Sequence, residues 1–141
     1  MSKVNVIYWS QTGNTAAMAE AVANGINAAG GEAVILDVSS ASVDDLKDAV
    51  AFAMGCPAMG AEVLEEGEMD PFVSEVEAIA AGKHIGLFGS YGWGDGEWMR
   101  DWEERITKCG GVLVEDSIIS NGEPTDEEIE KLSNLGSKYS V

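Results

Sequence analysis

Apolar residues gather in five short runs, at 4–9, 33–38, 49–55, 85–91 and 112–119, each strand-sized and bounded by turn-forming residues. Between them the spacing is helical. Met18, Val22 and Ile26 recur four residues apart in an Ala-rich stretch predicted helical from about 15 to 29, and Gly30-Gly31 supplies its stop. A short second helix is expected after Asp44-Asp45. The third is predicted from Asp70-Pro71 to Gly82, since aspartate can cap a helix and proline is tolerated in its first turn. A fourth runs from about Gly96 to Cys109, and a fifth starts at Thr125, where Thr125-Asp126-Glu127-Glu128 has capping-box spacing. Alternating strands and helices predict an α/β fold: a three-layer, doubly wound, five-stranded parallel sheet with helices on both faces. Its 141 residues suffice for one domain, 1–141, with a core that needs no disulfide or metal.

In doubly wound sheets ligands bind outside the carboxyl ends of the strands, and three glycine-containing breaks in this chain fall at such ends. After the first run come Ser10, Gln11, Thr12, Gly13, Asn14 and Thr15, where a strand would turn into a helix. The first N–H groups of a helix have no intrahelical acceptor and sit at its positive end, so with the hydroxyls they suit a phosphate. No lysine or arginine stands in the loop, unlike the phosphate loop of nucleoside triphosphatases, and nucleotide hydrolysis is disfavoured. After the fourth run, Trp93 sits among Gly89, Ser90, Tyr91, Gly92, Gly94, Asp95 and Gly96. These glycines let backbone amides approach a ligand beside an indole, which suits a flat aromatic group; a plug at the sheet end is the competing reading.

The segment Cys56, Pro57, Ala58, Met59, Gly60, Ala61, Glu62 offers a thioether, a glycine and a carboxylate in succession, a set able to flank and hydrogen-bond a heterocycle. Alone it would read as a plain turn. Trp98 and Trp102, one helical turn apart, read as core, and Trp9 fits either role. Cys56 reads as a buried strand-end thiol and His84 as structural or surface.

Charge narrows the partners. With 25 acidic and 8 basic residues the formal charge is −17, which argues against nucleic acid and anionic membranes and favours a partner with a basic surface. Cys56 and Cys109 lack metal-ligand spacing and His84 is the only histidine, so neither zinc nor a disulfide framework is expected. Reduced thiols, with no signal segment and no bilayer-length apolar run, lead to the expectation of a cytoplasmic chain.

Taken together, Ser10-Gln11-Thr12-Gly13-Asn14-Thr15, Cys56-Pro57-Ala58-Met59-Gly60 and Gly89-Ser90-Tyr91-Gly92-Trp93-Gly94 resemble the short-chain flavodoxins of anaerobic bacteria, and the resemblance extends over essentially the whole chain. It implies the flavodoxin-like strand order 2-1-3-4-5 and a noncovalent FMN. The phosphate would be held by Ser10, Thr12, Asn14, Thr15 and nearby amides, with Ser90 assisting. The ring would lie between Met59 and Trp93, with Glu62 accepting from flavin N3–H and the backbone of Gly92 to Gly94 bonding the N1 and O2 edge. A peptide flip after Gly60 would accompany one-electron reduction. The chain departs from the common pattern at Gln11, where glycine is frequent, and at Ala61, which bears on the energy of that flip.

The implied function is a low-potential one-electron carrier, a monomer shuttling between semiquinone and hydroquinone and serving redox enzymes in place of a ferredoxin, with no catalytic residues of its own. Carboxylates at Glu62, Glu65, Glu66, Glu68 and Asp70 would oppose the second electron. An FMN-dependent NAD(P)H:quinone or flavin reductase is the enzyme alternative, although the short chain has no insertion to build a substrate pocket. A phosphoacceptor receiver module fits poorly, because Gly55-Cys56-Pro57 stands where its aspartate belongs.

Overall fold

Strand β1 (Lys3–Tyr8) lies between two parallel neighbours, β2 (Glu32–Asp37) and β3 (Ala51–Gly55), in a computed structural model that describes residues 3–11, 13–59 and 63–139. Strand β4 (His84–Tyr91) pairs with β3, and the position beyond it is shared by β5 (Val112–Leu113) and β6 (Ile118–Asn121). The order is therefore β2-β1-β3-β4-β5, all parallel, as the resemblance implied. Helices α1 (Asn14–Ala28), α2 (Met69–Glu77), α3 (Glu97–Lys108) and α4 (Asp126–Ser137) complete the layers.

Strand side chains alternate between faces, so each strand feeds two cores. Val4, Val6, Ala53 and Phe88 pack with Met18, Val22 and Ile26 of α1 and Leu132 and Leu135 of α4. Ile7, Phe52, Met54, Ile85 and Leu87 turn the other way, against Phe72, Val73 and Val76 of α2 and Trp98, Trp102 and Ile106 of α3. The first core brings two backbones unusually close. A Cβ at Gly25 of α1 would lie 1.9 Å from Ser133 O of α4, and one at Gly136 of α4 would lie 2.1 Å from Val22 O of α1. Tyr139 closes the same layer: its buried hydroxyl donates to Phe52 O at 2.9 Å, and burial pushes the phenol's pKa up.

Four expectations need correction. The run 112–119 is not one strand, because the chain leaves the ladder between β5 and β6, where Ser117 donates its hydroxyl to Glu103 Oε2 of α3 at 2.7 Å. The five-stranded sheet thus contains six strand segments among the described residues. The second helix shrinks to a 3₁₀ turn, Val43–Leu46, capped by Ser42 Oγ, with another 3₁₀ turn at Val38–Ser40. Helix α2 ends at Glu77 instead of running on to Gly82, since turn bonds such as Ile79 N to Val76 O take over. Finally, Asp70 lies inside α2 rather than capping it. The cap is the Glu65 carboxylate, which accepts from Gly67, Glu68 and Met69 N at 2.7, 2.7 and 2.9 Å.

Candidate functional site

Gly13, with φ +95°, turns the chain from β1 into α1, a conformation that glycine adopts without a Cβ penalty. The Ser10 hydroxyl accepts from Gly13 N at 3.1 Å and Ala16 N at 3.4 Å, so it occupies donors that an anion would otherwise take. Thr15 is 1% exposed, and its hydroxyl shares a 3.0 Å hydrogen bond with that of Ser90 on β4. The helix start is therefore backed by a strand-borne hydroxyl. Across the ladder from Ser90 stands Ser120 of β6, wholly buried, with no hydrogen-bond partner for its Oγ among the described residues.

The other two loops leave the sheet beside this start. Trp9 N donates to Gly55 O, Cys56 N to Phe88 O and Ala58 N to Ser90 O, carrying parallel pairing past the formal strand ends. Met59 and Val63 then form an antiparallel bridge, with both N–H groups bonded to the opposite carbonyl at 2.9 Å. Gly122 N donates to Tyr91 O at 2.9 Å and brings a fourth loop to the same place. These loops enclose a cleft of about 260 Å³. Gln11 and Asn14 line it from the first loop, Pro57, Ala58 and Met59 from the second, and Ser90, Tyr91, Gly92 and Trp93 from the third. Trp93 is 54% exposed, a large indole left open beside a thioether. It does not plug the sheet end.

The surrounding charges are less free than their number suggests. Partial burial opposes ionisation of Glu65, but the N–H groups of Met69, Glu68 and Gly67 outweigh it and hold its pKa below the usual carboxylate range. Asp70 pairs with Arg105 of α3, which also bonds Glu77 at 2.9 Å and Ser74 at 3.3 Å. Two of the five carboxylates expected to oppose the second electron thus carry compensating partners. Cys56 is buried as expected: loss of solvation pushes its thiol up to about 12, so it is no nucleophile at neutral pH. Trp98 and Trp102 are core residues, Trp9 is half-buried against the α2–α3 core, and His84 is exposed.

Of the residues singled out in the sequence, Ser10, Gln11, Gly13, Asn14, Thr15, Pro57, Ala58, Met59, Ser90, Tyr91, Gly92 and Trp93 come together at this end of the sheet. Gly94 belongs to the same loop, with φ +82°, without lining the cleft. Thr12, Gly60, Ala61 and Glu62 lie outside the described residues. Gly122 was missed, though Asn121-Gly122 is a turn dipeptide placed just after the last apolar run.

The residues fit a flavin mononucleotide: an indole and a thioether flank a cleft, and hydroxyls and a helix start stand beside it. A family model described as flavodoxin matches residues 6–136. The chain is 47% identical over 125 residues to a flavodoxin of Clostridium beijerinckii, across 89% of this chain and 91% of that one. It is 37% identical over 135 residues to a flavodoxin of Megasphaera elsdenii, across 96% and 98% of the two chains. The solution structure of two-electron reduced Megasphaera elsdenii flavodoxin superimposes with a TM-score of 0.88 at 38% identity, covering 96% of this chain and 98% of that one.

Proposed function

The chain belongs to the flavodoxin family of small FMN-binding electron carriers, and from that premise we propose that FMN sits in the cleft shared by Met59 and Trp93, with its phosphate at the start of α1. The single observation that carries the assignment is the exposed Trp93 beside Met59, since an indole is otherwise among the residues a fold most readily covers. Bound FMN supplies the redox chemistry. The chain's own residues bind and orient it: Asn14, Thr15 and the first-turn amides of α1 take the phosphate, and Ser90 holds the Thr15 hydroxyl in place. Ser10 releases Gly13 N to the phosphate or joins it as a further donor. Thr12, Gly60, Ala61 and Glu62 are included on the resemblance alone.

We read the carrier as low-potential, because reducing electrons enter a chain already at −17. Compensation at Glu65 and Asp70 shifts that argument onto Glu66, Glu68 and the overall charge. The partners are redox enzymes with basic docking surfaces, and association should slow as salt rises. We further read residues 1–141 as one domain, a monomer acting in the cytoplasm without substrate turnover of its own; two core layers on a single sheet and two free thiols support this. Among the described residues no helix is long and apolar enough to cross a membrane. The family assignment takes precedence over the reductase alternative.

Titration of cofactor-free protein with FMN and with riboflavin tests the phosphate assignment. FMN should bind at least about tenfold more tightly, or about 1.4 kcal/mol. Thr15→Val should narrow that gap, and equal affinity of the unmodified protein for both flavins would overturn the assignment.

A further inference from the structure

Helix α3 carries two buried tryptophans one turn apart, and their indole N–H groups are used differently. Trp98 is 1% exposed and its Nε1 donates to Cys56 O at 3.0 Å, whereas Trp102 is 0% exposed and its Nε1 has no partner among the described residues. We propose that Trp98 is a positioning residue that sets the spacing between the two loops bounding the flavin cleft, an inference that rests on the cleft assignment above. Cys56 stands three residues before Met59. On the other loop, the ring of Tyr91, two residues before Trp93, lies 5.6 Å from the Trp98 ring at a tilt of 47°. One side chain therefore touches the root of each loop.

The roots are built to admit it. A Cβ at Gly89 would lie 2.1 Å from Cys56 O and 3.1 Å from the Trp98 ring, so glycine is what allows carbonyl and indole to meet. Past the formal strand end the parallel ladder keeps its step, with Cys56 N bonding Phe88 O and Ala58 N bonding Ser90 O two residues further along each strand. The Trp98 N–H holds the Cys56 carbonyl that lies between those two bonds. The Cys56 thiol adds a second tie, accepting from Glu65 N at 3.4 Å and so drawing the far end of the Met59–Val63 bridge to the same residue. A strand advances about 3.3 Å per residue, so a displacement at either root reaches Met59 or Trp93 within about 10 Å.

The test compares Trp98→Phe with Trp102→Phe in the FMN-bound protein, reading FMN affinity and the midpoint potentials of both one-electron steps. Each variant trims a buried indole, so both should unfold more easily. Only Trp98→Phe should weaken FMN binding by about tenfold and move at least one potential. Gly89→Ala, which drives a methyl group against Cys56 O while leaving both tryptophans intact, should reproduce the shift and serves if Trp98→Phe does not fold. Potentials and affinity of Trp98→Phe at their original values would overturn the proposal, as would an equal shift in Trp102→Phe. Failure of the unmodified protein to bind FMN would instead overturn the cleft assignment and this inference with it.

Discussion

Replacing Gly25 by alanine should raise the intrinsic helix preference of α1 by about 0.5–1 kcal/mol, and the packing of α1 on α4 reverses the sign. The new Cβ would stand 1.9 Å from Ser133 O, 2.6 Å from Ser133 C and 2.8 Å from its Cα, all backbone atoms that cannot swing aside. Restoring ordinary contact at 3.4 Å requires the helices to part locally by about 1.5 Å. Overpacking of this kind costs about 1–3 kcal/mol. Parting also thins the contacts of Val22, Ile26, Leu132 and Leu135, so the upper half of that range should prevail and leave a net loss of about 1–2 kcal/mol. Urea unfolding of FMN-saturated protein, followed by far-ultraviolet circular dichroism, measures it as a lower midpoint at unchanged slope. Asn24→Ala, on an exposed position of the same helix, is the control and should gain a few tenths of a kcal/mol. Gly136→Ala should cost a similar amount, and the double variant less than the sum, because a helix pair already parted has room for the second methyl. A Gly25→Ala protein as stable as the original would refute the reasoning.

Three further outcomes follow from the geometry. Glu65→Ala should cost about 1–2 kcal/mol at pH 7 by uncapping α2; because folding lowers the Glu65 pKa, its contribution is present above the unfolded value near 4.3 and fades as pH falls through the folded one, so the gap to the original should narrow below about pH 4 in unfolding curves. Ser120→Ala removes a buried hydroxyl that has no partner among the described residues, so thermal unfolding should show a protein as stable or up to about 1 kcal/mol more stable, and a clear loss would refute this. Thiol titration at pH 8 should label Cys109, which is partly exposed, and leave Cys56 unreacted until urea is added; rapid labelling of both in the folded protein would contradict the raised Cys56 pKa.

The readable parts of this chain are those governed by neighbours in sequence. The Thr125–Glu128 capping box forms as its spacing requires, with Glu128 N bonding Thr125 Oγ1 at 3.2 Å and Thr125 N bonding Glu128 Oε1 at 2.9 Å. The three glycine loops, read as strand ends, do meet. What the sequence concealed depends on distant partners. The gap between β5 and β6 answers to Glu103, fourteen positions before Ser117 and on another element. The α2 cap comes from Glu65, outside the helix and across a turn, while the nearer Asp70 is taken by Arg105 from α3. Trp98 and Trp102 look alike at helical spacing, and only distant neighbours separate their roles, namely the Cys56 carbonyl brought close by Gly89 and the ring of Tyr91.

Tyr139 does more than fill the α4 layer. With Lys3, Val4 and Lys138 it borders a hollow of about 540 Å³ at the amino ends of β1, β3 and β4, the pole of the sheet opposite the glycine loops. Residues near both ends of the described chain are thus neighbours, and both are far from Met59 and Trp93. A tag, an electrode tether or a fused enzyme attached beside Lys3 or beyond Tyr139 would leave the cofactor face turned outward. The same nearness would let a short linker run from Tyr139 back to Lys3 in a circularly permuted form opened elsewhere on the surface.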